Sequence, residues 1–108
     1  MDLPLRSKLK LFPYLKRKDN GKKLLIDRAS LAYISPRDIS SLITDLAGDY
    51  LRQLGILRED AKITDAMAGV GGNALSFALS FGKVTAIEIE TKRVEYMFNN
   101  RTIYGLRN

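Results

Sequence analysis

Apolar positions along this chain change their spacing from one block to the next. In the longest block Ile39, Leu42, Ile43, Leu46, Ala47, Tyr50, Leu51 and Leu54 recur at intervals of three and four, which predicts one amphipathic helix of about five turns. Its start reads Ser35-Pro36-Arg37-Asp38: a capping hydroxyl, a proline at the first helical position and an acid three residues after the cap. Gly55 stands where glycine commonly ends a helix. A strand is expected near Lys62–Ala66 and a helix from Gly72 to Ser80, which Gly82 stops. Val84-Thr85-Ala86-Ile87-Glu88-Ile89 has the β-branched, apolar character of a parallel strand covered on both faces. A last helix follows from Thr91 to Tyr104, with Val94, Met97 and Phe98 inward and Gly105 as its stop. Helix, strand, helix, strand, helix is the order of an α/β fold with a parallel sheet and right-handed crossovers.

The first 24 residues lack such periodicity. Pro4 and Pro13 oppose long helices there, Lys18-Asp19-Asn20-Gly21-Lys22 is a turn signal, and Lys23-Leu24-Leu25-Ile26 is expected as a short strand. At 108 residues the chain makes one domain at most. Its net charge of +6 is carried entirely by residues 1–28, where nine Lys or Arg face Asp2, Asp19 and Asp27. Residues 1–28 are thus expected as a basic arm suited to a phosphate backbone, with 29–108 as the folded unit. The absence of cysteine and histidine excludes disulfides, thiolate metal sites and hydrolytic triads within these residues. No signal peptide and no stretch of membrane-spanning length is visible, so an intracellular protein, cytoplasmic or nuclear, is expected.

The chemistry is concentrated in Asp65-Ala66-Met67-Ala68-Gly69-Val70-Gly71-Gly72-Asn73. A carboxylate at a strand end, a glycine loop and a helix form the opening of a cofactor cleft, because glycine lets backbone approach a ligand closely. Ligands of open α/β sheets sit beyond the carboxyl ends of the strands, and Glu88 ends the second strand as Asp65 ends the first. Glu88 is placed to accept the hydroxyl hydrogens of a ribose, with Glu90 as its substitute if the strand is rotated. Two cofactor classes fit. Gly69-Val70-Gly71-Gly72-Asn73-Ala74 matches a dinucleotide pattern, yet Asp65 would then oppose a pyrophosphate. A sulfonium amino-acid nucleoside, bearing an amino group and no phosphate, tolerates Asp65 better.

At these residues the chain resembles class I S-adenosylmethionine-dependent methyltransferases, and more narrowly the trimethylguanosine synthase family of RNA cap methyltransferases. The similarity extends through Phe77-Ala78-Leu79, Val84 to Glu90, Asn99-Asn100 and Tyr104-Gly105, with Ile34-Ser35-Pro36 as the lead-in. It covers residues 33–106. The resemblance implies a Rossmann-like methyltransferase fold, incomplete in these residues, with S-adenosylmethionine as cofactor. It also implies that Asp65, with Ala66 beside it, contacts the methionine part, that Gly69, Gly71 and Gly72 allow close backbone approach, and that Asn73 begins the helix beneath the ligand. Glu88 would hold the ribose, Ile89 would line the adenine pocket, and Ser35 would touch the cofactor from the preceding segment.

The family's acceptor motif, an Asn/Asp-Pro-Pro-aromatic stretch, does not occur, nor does any tryptophan. No catalytic residue is therefore assigned. The expectation is the cofactor-binding half of an RNA methyltransferase acting on cap guanosine N2, truncated before a third strand. A C-terminal half or a partner chain would complete the sheet, and RNA would be held by the basic arm. The alternatives are a fragment of an NAD-binding oxidoreductase and a non-catalytic RNA-binding or regulatory module.

Overall fold

Two short parallel strands form the sheet of the computed structural model, which describes residues 3–108. In chain order the helices are α1 (Leu5–Leu11), α2 (Arg37–Gln53), α3 (Gly72–Ser80) and α4 (Thr91–Ile103), and the strands are β1 (Lys62–Asp65) and β2 (Lys83–Ala86). Short 3₁₀ turns occupy Lys18–Lys23, Ala29–Ala32 and Arg58–Asp60. Lys62 stands opposite Lys83 and Asp65 opposite Ala86, so both strands deliver their carboxyl ends to the same side. The fold is mixed α/β with a two-stranded parallel sheet, as the alternation of periods predicts. On the edge of β2 away from β1, the Val84 amide donates to the Asn108 carbonyl at 3.0 Å.

The N-terminal segment departs from the expected irregular arm. Met1 and Asp2 lie outside the described residues, but from Leu3 onward the segment is built into the core. Phe12, Leu15, Leu24 and Ile26 are buried together with Val70 and Leu75 from the glycine-loop region. Pro4 stands just before α1, where its missing amide costs nothing. Pro13 follows the end of α1, and its carbonyl accepts the Tyr104 hydroxyl; burial pushes that phenol well above its ordinary pKa. Arg37 Nε donates to the Phe12 carbonyl at 3.0 Å, and Lys8 Nζ to the Lys22 carbonyl at 2.9 Å. The cations Arg6, Lys10, Lys16, Arg17, Lys18 and Lys22 remain on the outside of this layer. Leu24–Ile26 is not a strand, because a side chain of α4 takes both backbone groups of Leu25.

The long helix also differs from its pattern. Its N-cap is Pro36 with no side-chain capping bond, since the Ser35 hydroxyl turns instead to Asn73. Of the predicted apolar face, only Ile43, Ala47 and Leu51 pack inward, against Phe77 and Phe81. The buried residues of α2 are Ser40, Thr44 and Gly48. The small side chains of Ser40 and Thr44 let α3 come close, while Gly48 makes room for the Arg58 guanidinium. The Thr44 and Ser76 hydroxyls are 2.6 Å apart, and Ser76 donates to the Ser40 carbonyl at 3.2 Å. Ile39, Leu42, Leu46 and Tyr50 are left facing solvent, with Leu46 59% and Tyr50 62% exposed.

The sheet is covered on one face only. Ile63 and Val84 pack toward the Phe77 cluster, whereas Lys62, Thr64, Lys83 and Thr85 on the other face are exposed. The double cover read from the apolar strand pattern is thus absent among the described residues. On α4, Val94 and Met97 are half-buried, Phe98 is exposed, and the fully buried residue is Asn100.

Because the N-terminal layer supplies half of the main core, Phe12→Ala is expected to cost about 3–5 kcal/mol of stability. Lys18→Ala, on the exposed side of the same layer, should stay within about 0.5 kcal/mol. Urea unfolding of the two variants checks this: equal, small losses would mean the layer does not fold with the rest.

Candidate functional site

The glycine loop begins where β1 ends and is held by bonds to the end of β2. Asp65 Oδ1 accepts the Met67 amide at 3.3 Å, an Asx-type turn that starts the loop. Ala68 donates to the Ile87 carbonyl at 2.8 Å, and Gly71 donates to the Ala68 carbonyl at 3.0 Å. Glu88 bridges two segments: its Oε1 accepts the Gly69 amide and its Oε2 the Glu90 amide, both at 2.9 Å. Its carboxylate therefore fastens the loop to the start of α4. Each oxygen keeps further lone-pair capacity.

The three glycines do different things. Gly69 has φ of +58°, and a Cβ built there would meet nothing within 4 Å. Its backbone faces open space on the cleft side. Gly71, at φ +108°, would point a Cβ at Met97 and Leu75 at 3.2 and 3.3 Å. That is the core side, so the missing side chain at Gly71 makes room for Met97 and Leu75. At Gly72 a Cβ would come within 2.8 Å of Ile34 and 3.3 Å of the Ser35 carbonyl. This glycine admits the segment before α2 to the loop.

Ser35, Asp65, Ala66, Gly69, Gly72, Asn73, Glu88 and Ile89 line one cleft of about 700 Å³, within the range of small-molecule sites. The lining also includes residues that sequence reasoning did not assign: Ser30, Tyr33 and Ile34 before α2, and Arg93 on α4. Asn73 Nδ2 donates to Ser35 Oγ at 3.1 Å, and Arg93 pairs with Asp27 at 3.2 Å. Ile34 and Ser35 had a signal in the lead-in before Pro36. Arg93 had none, because its partner is distant in sequence. A smaller apolar groove of about 290 Å³ lies between α3 and α4 and holds none of these groups.

Two acceptors in the cleft lack donors. Asp65 Oδ2 and Asn73 Oδ1 are buried and have no hydrogen-bond partner among the described residues. A buried acceptor without a donor is costly, and both belong to residues that line the same cleft. Burial raises the pKa of Asp65; the Met67 amide opposes this and the Glu88 charge adds to it. At the rim, Met67 is 88% and Ile89 93% exposed, two apolar side chains beside a polar floor.

Residues 60–108, which contain both strands, the glycine loop and α4, match the model of the RNA cap guanine-N2 methyltransferase family. The chain is 31% identical over 102 residues to an uncharacterized protein of Acanthamoeba polyphaga mimivirus, an alignment covering 80% of this chain. It spans 40% of that relative's length. No solved structure matches it significantly. The family match supports a methyltransferase and does not favour an oxidoreductase. No helix among the described residues is long and apolar enough to cross a membrane.

The two perturbed carboxylates act on stability with opposite signs. Asp65 has a raised folded pKa, so its contribution is fully present below the unfolded value of 3.8 and is lost as pH rises through the folded value. Burial works to raise the pKa of Asp27, but hydrogen bonds from Ser30 and Arg93 outweigh it and the net shift is downward. Its contribution is present above 3.8 and is lost as pH falls through the folded value. Asp65→Asn should therefore stabilise the ligand-free protein at pH 7, the gain vanishing in acid, while Asp27→Asn should destabilise it at pH 7. Thermal melts across pH read both; an Asp65→Asn protein less stable than the parent at neutral pH would contradict the account.

Proposed function

We propose that the cleft binds S-adenosylmethionine and that the chain is the cofactor-binding part of an RNA methyltransferase acting on cap guanosine N2. The observation that carries this reading is the pair of donorless acceptors, Asp65 Oδ2 and Asn73 Oδ1, beside the Glu88 carboxylate. An α-ammonium group supplies the hydrogen bonds both acceptors lack, and its charge relieves the burial of Asp65. A dinucleotide fits poorly, because its pyrophosphate would meet Asp65 and bring no donor to either atom.

When bound, the cofactor supplies an electrophilic methyl group on a sulfonium centre. The chain's residues then bind and orient. Asp65 and Asn73 hold the ammonium end, and the open backbone at Gly69 gives room for the middle of the ligand. The remaining lone pairs of Glu88 accept ribose hydroxyls while its other contacts keep the loop closed. Ile89 offers an apolar surface to the base. Fixing the methyl donor in one orientation for an incoming nucleophile is the larger part of catalysis in such a transfer. The acceptor guanosine would be held by residues beyond those of this cleft, whether from the same polypeptide or a partner.

The layer bearing Arg6, Lys10, Lys16, Arg17, Lys18 and Lys22 is the surface we assign to RNA phosphates. Neutralising several of them by one partner should give an affinity that falls steeply with salt. The non-catalytic alternative shares that property, so cofactor binding is what separates the two.

Calorimetric titration tests the reading directly. S-adenosylmethionine should bind the folded chain, NAD should not compete, and Asp65→Asn should weaken binding by about 10- to 100-fold, the worth of a hydrogen bond to a charged group. A folded protein that takes up no S-adenosylmethionine would falsify the proposal; tighter binding of NAD would replace it with the oxidoreductase reading.

A further inference from the structure

Asn100 is an amide on the apolar face of α4. Tyr96, Ile103 and Tyr104 on the same face pack against the main core, and Asn100 among them is fully buried. Its Nδ2 donates to the carbonyls of Leu25 and Val70, both at 2.9 Å. Its Oδ1 accepts the Leu25 amide at 2.8 Å and Asn99 Nδ2 at 3.1 Å. Both donors and both acceptor positions of the side chain are thus used.

Val70 lies between Gly69 and Gly71, whose φ angles are +58° and +108°. A peptide flanked by two glycines has more accessible orientations than any other in the loop. The Val70 side chain is anchored in the core, and its carbonyl is anchored by Asn100. That carbonyl shares one rigid peptide plane with the Gly71 amide, which donates to the Ala68 carbonyl within the loop, so aiming the first aims the second. The same side chain holds Leu25, and Asn99 Nδ2 holds the Lys23 carbonyl at 2.9 Å. The loop and the basic N-terminal segment therefore meet on one pair of adjacent amides.

We propose that Asn100 is a positioning residue for the cofactor loop, and that through it the N-terminal segment sets the loop's binding-competent shape. The inference rests on the cofactor reading above for its ligand, but not for its geometry. Its function is to hold backbone; it touches no ligand.

The test compares Asn100→Ala with Tyr104→Phe in the full chain. Tyr104→Phe also removes a bond between this end of the chain and the N-terminal segment, at Pro13, but leaves the loop untouched. The readouts are S-adenosylmethionine affinity, corrected for the folded fraction, and amide hydrogen exchange over residues 66–73. Asn100→Ala should weaken affinity by about tenfold or more and speed exchange in the loop, while Tyr104→Phe should change neither. Equal behaviour of the two variants overturns the proposal. If Asn100→Ala fails to fold, Asn99→Ala removes the donor that orients the Asn100 amide. It should weaken affinity by about threefold with faster loop exchange, and no change in either is the overturning result. If the parent protein does not bind S-adenosylmethionine, the cofactor reading fails and loop exchange alone decides the role of Asn100.

Discussion

A single buried amide joins parts of this protein that lie far apart in sequence. Asn100 serves Leu25 much as a neighbouring strand would, exchanging both backbone bonds with it, and it serves the glycine loop through the Val70 carbonyl. In a low-dielectric interior such bonds are strong and their loss is costly. That is why an apolar helix face tolerates a polar residue at its most buried point. The core around it, from Phe12 and Leu24 to Val70 and Leu75, can close only with those carbonyls satisfied. The N-terminal layer, the loop and α4 are in this sense one structural unit.

The cleft built on that unit carries an internal tension. Asp65 is buried where an ionised carboxylate is disfavoured, with Glu88 nearby and one oxygen left without a donor. Asp27 shows the opposite solution, a carboxylate matched by Ser30 and Arg93. A protein selected only for stability would treat both acids alike. Leaving one unmatched in a residue that lines a cleft is the pattern of a group kept for a ligand. The bonds from Met67 to Asp65 and from Gly69 and Glu90 to Glu88 hold the backbone in place without neutralising that need.

Helix α2 illustrates how packing can overrule amphipathicity. Its widest apolar stripe is plain in the sequence, yet Ser40 and Thr44 make the close contact with α3. Small residues permit short interaxial approach, and the hydroxyls bond across the seam, so a polar face is buried with its polar groups satisfied. The consequence is an apolar stripe in solvent, from Ile39 to Tyr50, larger than isolated surface leucines would make.

What the sequence determined by itself is the local order from Arg37 onward: which segments there are helices, which are strands, where Gly55 and Gly105 stop a helix, and that Asp65, the glycines and Glu88 fall at one end of a parallel pair. These follow from periodicity and backbone chemistry, which act within a few residues. The apolar strand pattern misled about double cover, and the prolines and lysines of the first 24 residues concealed a core layer, because neither local composition nor charge reports what a segment packs against. Tertiary structure alone decided that Gly71 faces the core while Gly69 faces the cleft, that Ser35 bonds Asn73 instead of capping α2, and that Asn100 is buried. Each depends on groups dozens of residues apart finding the same space, and the free energy of those meetings is written in no single stretch of chain.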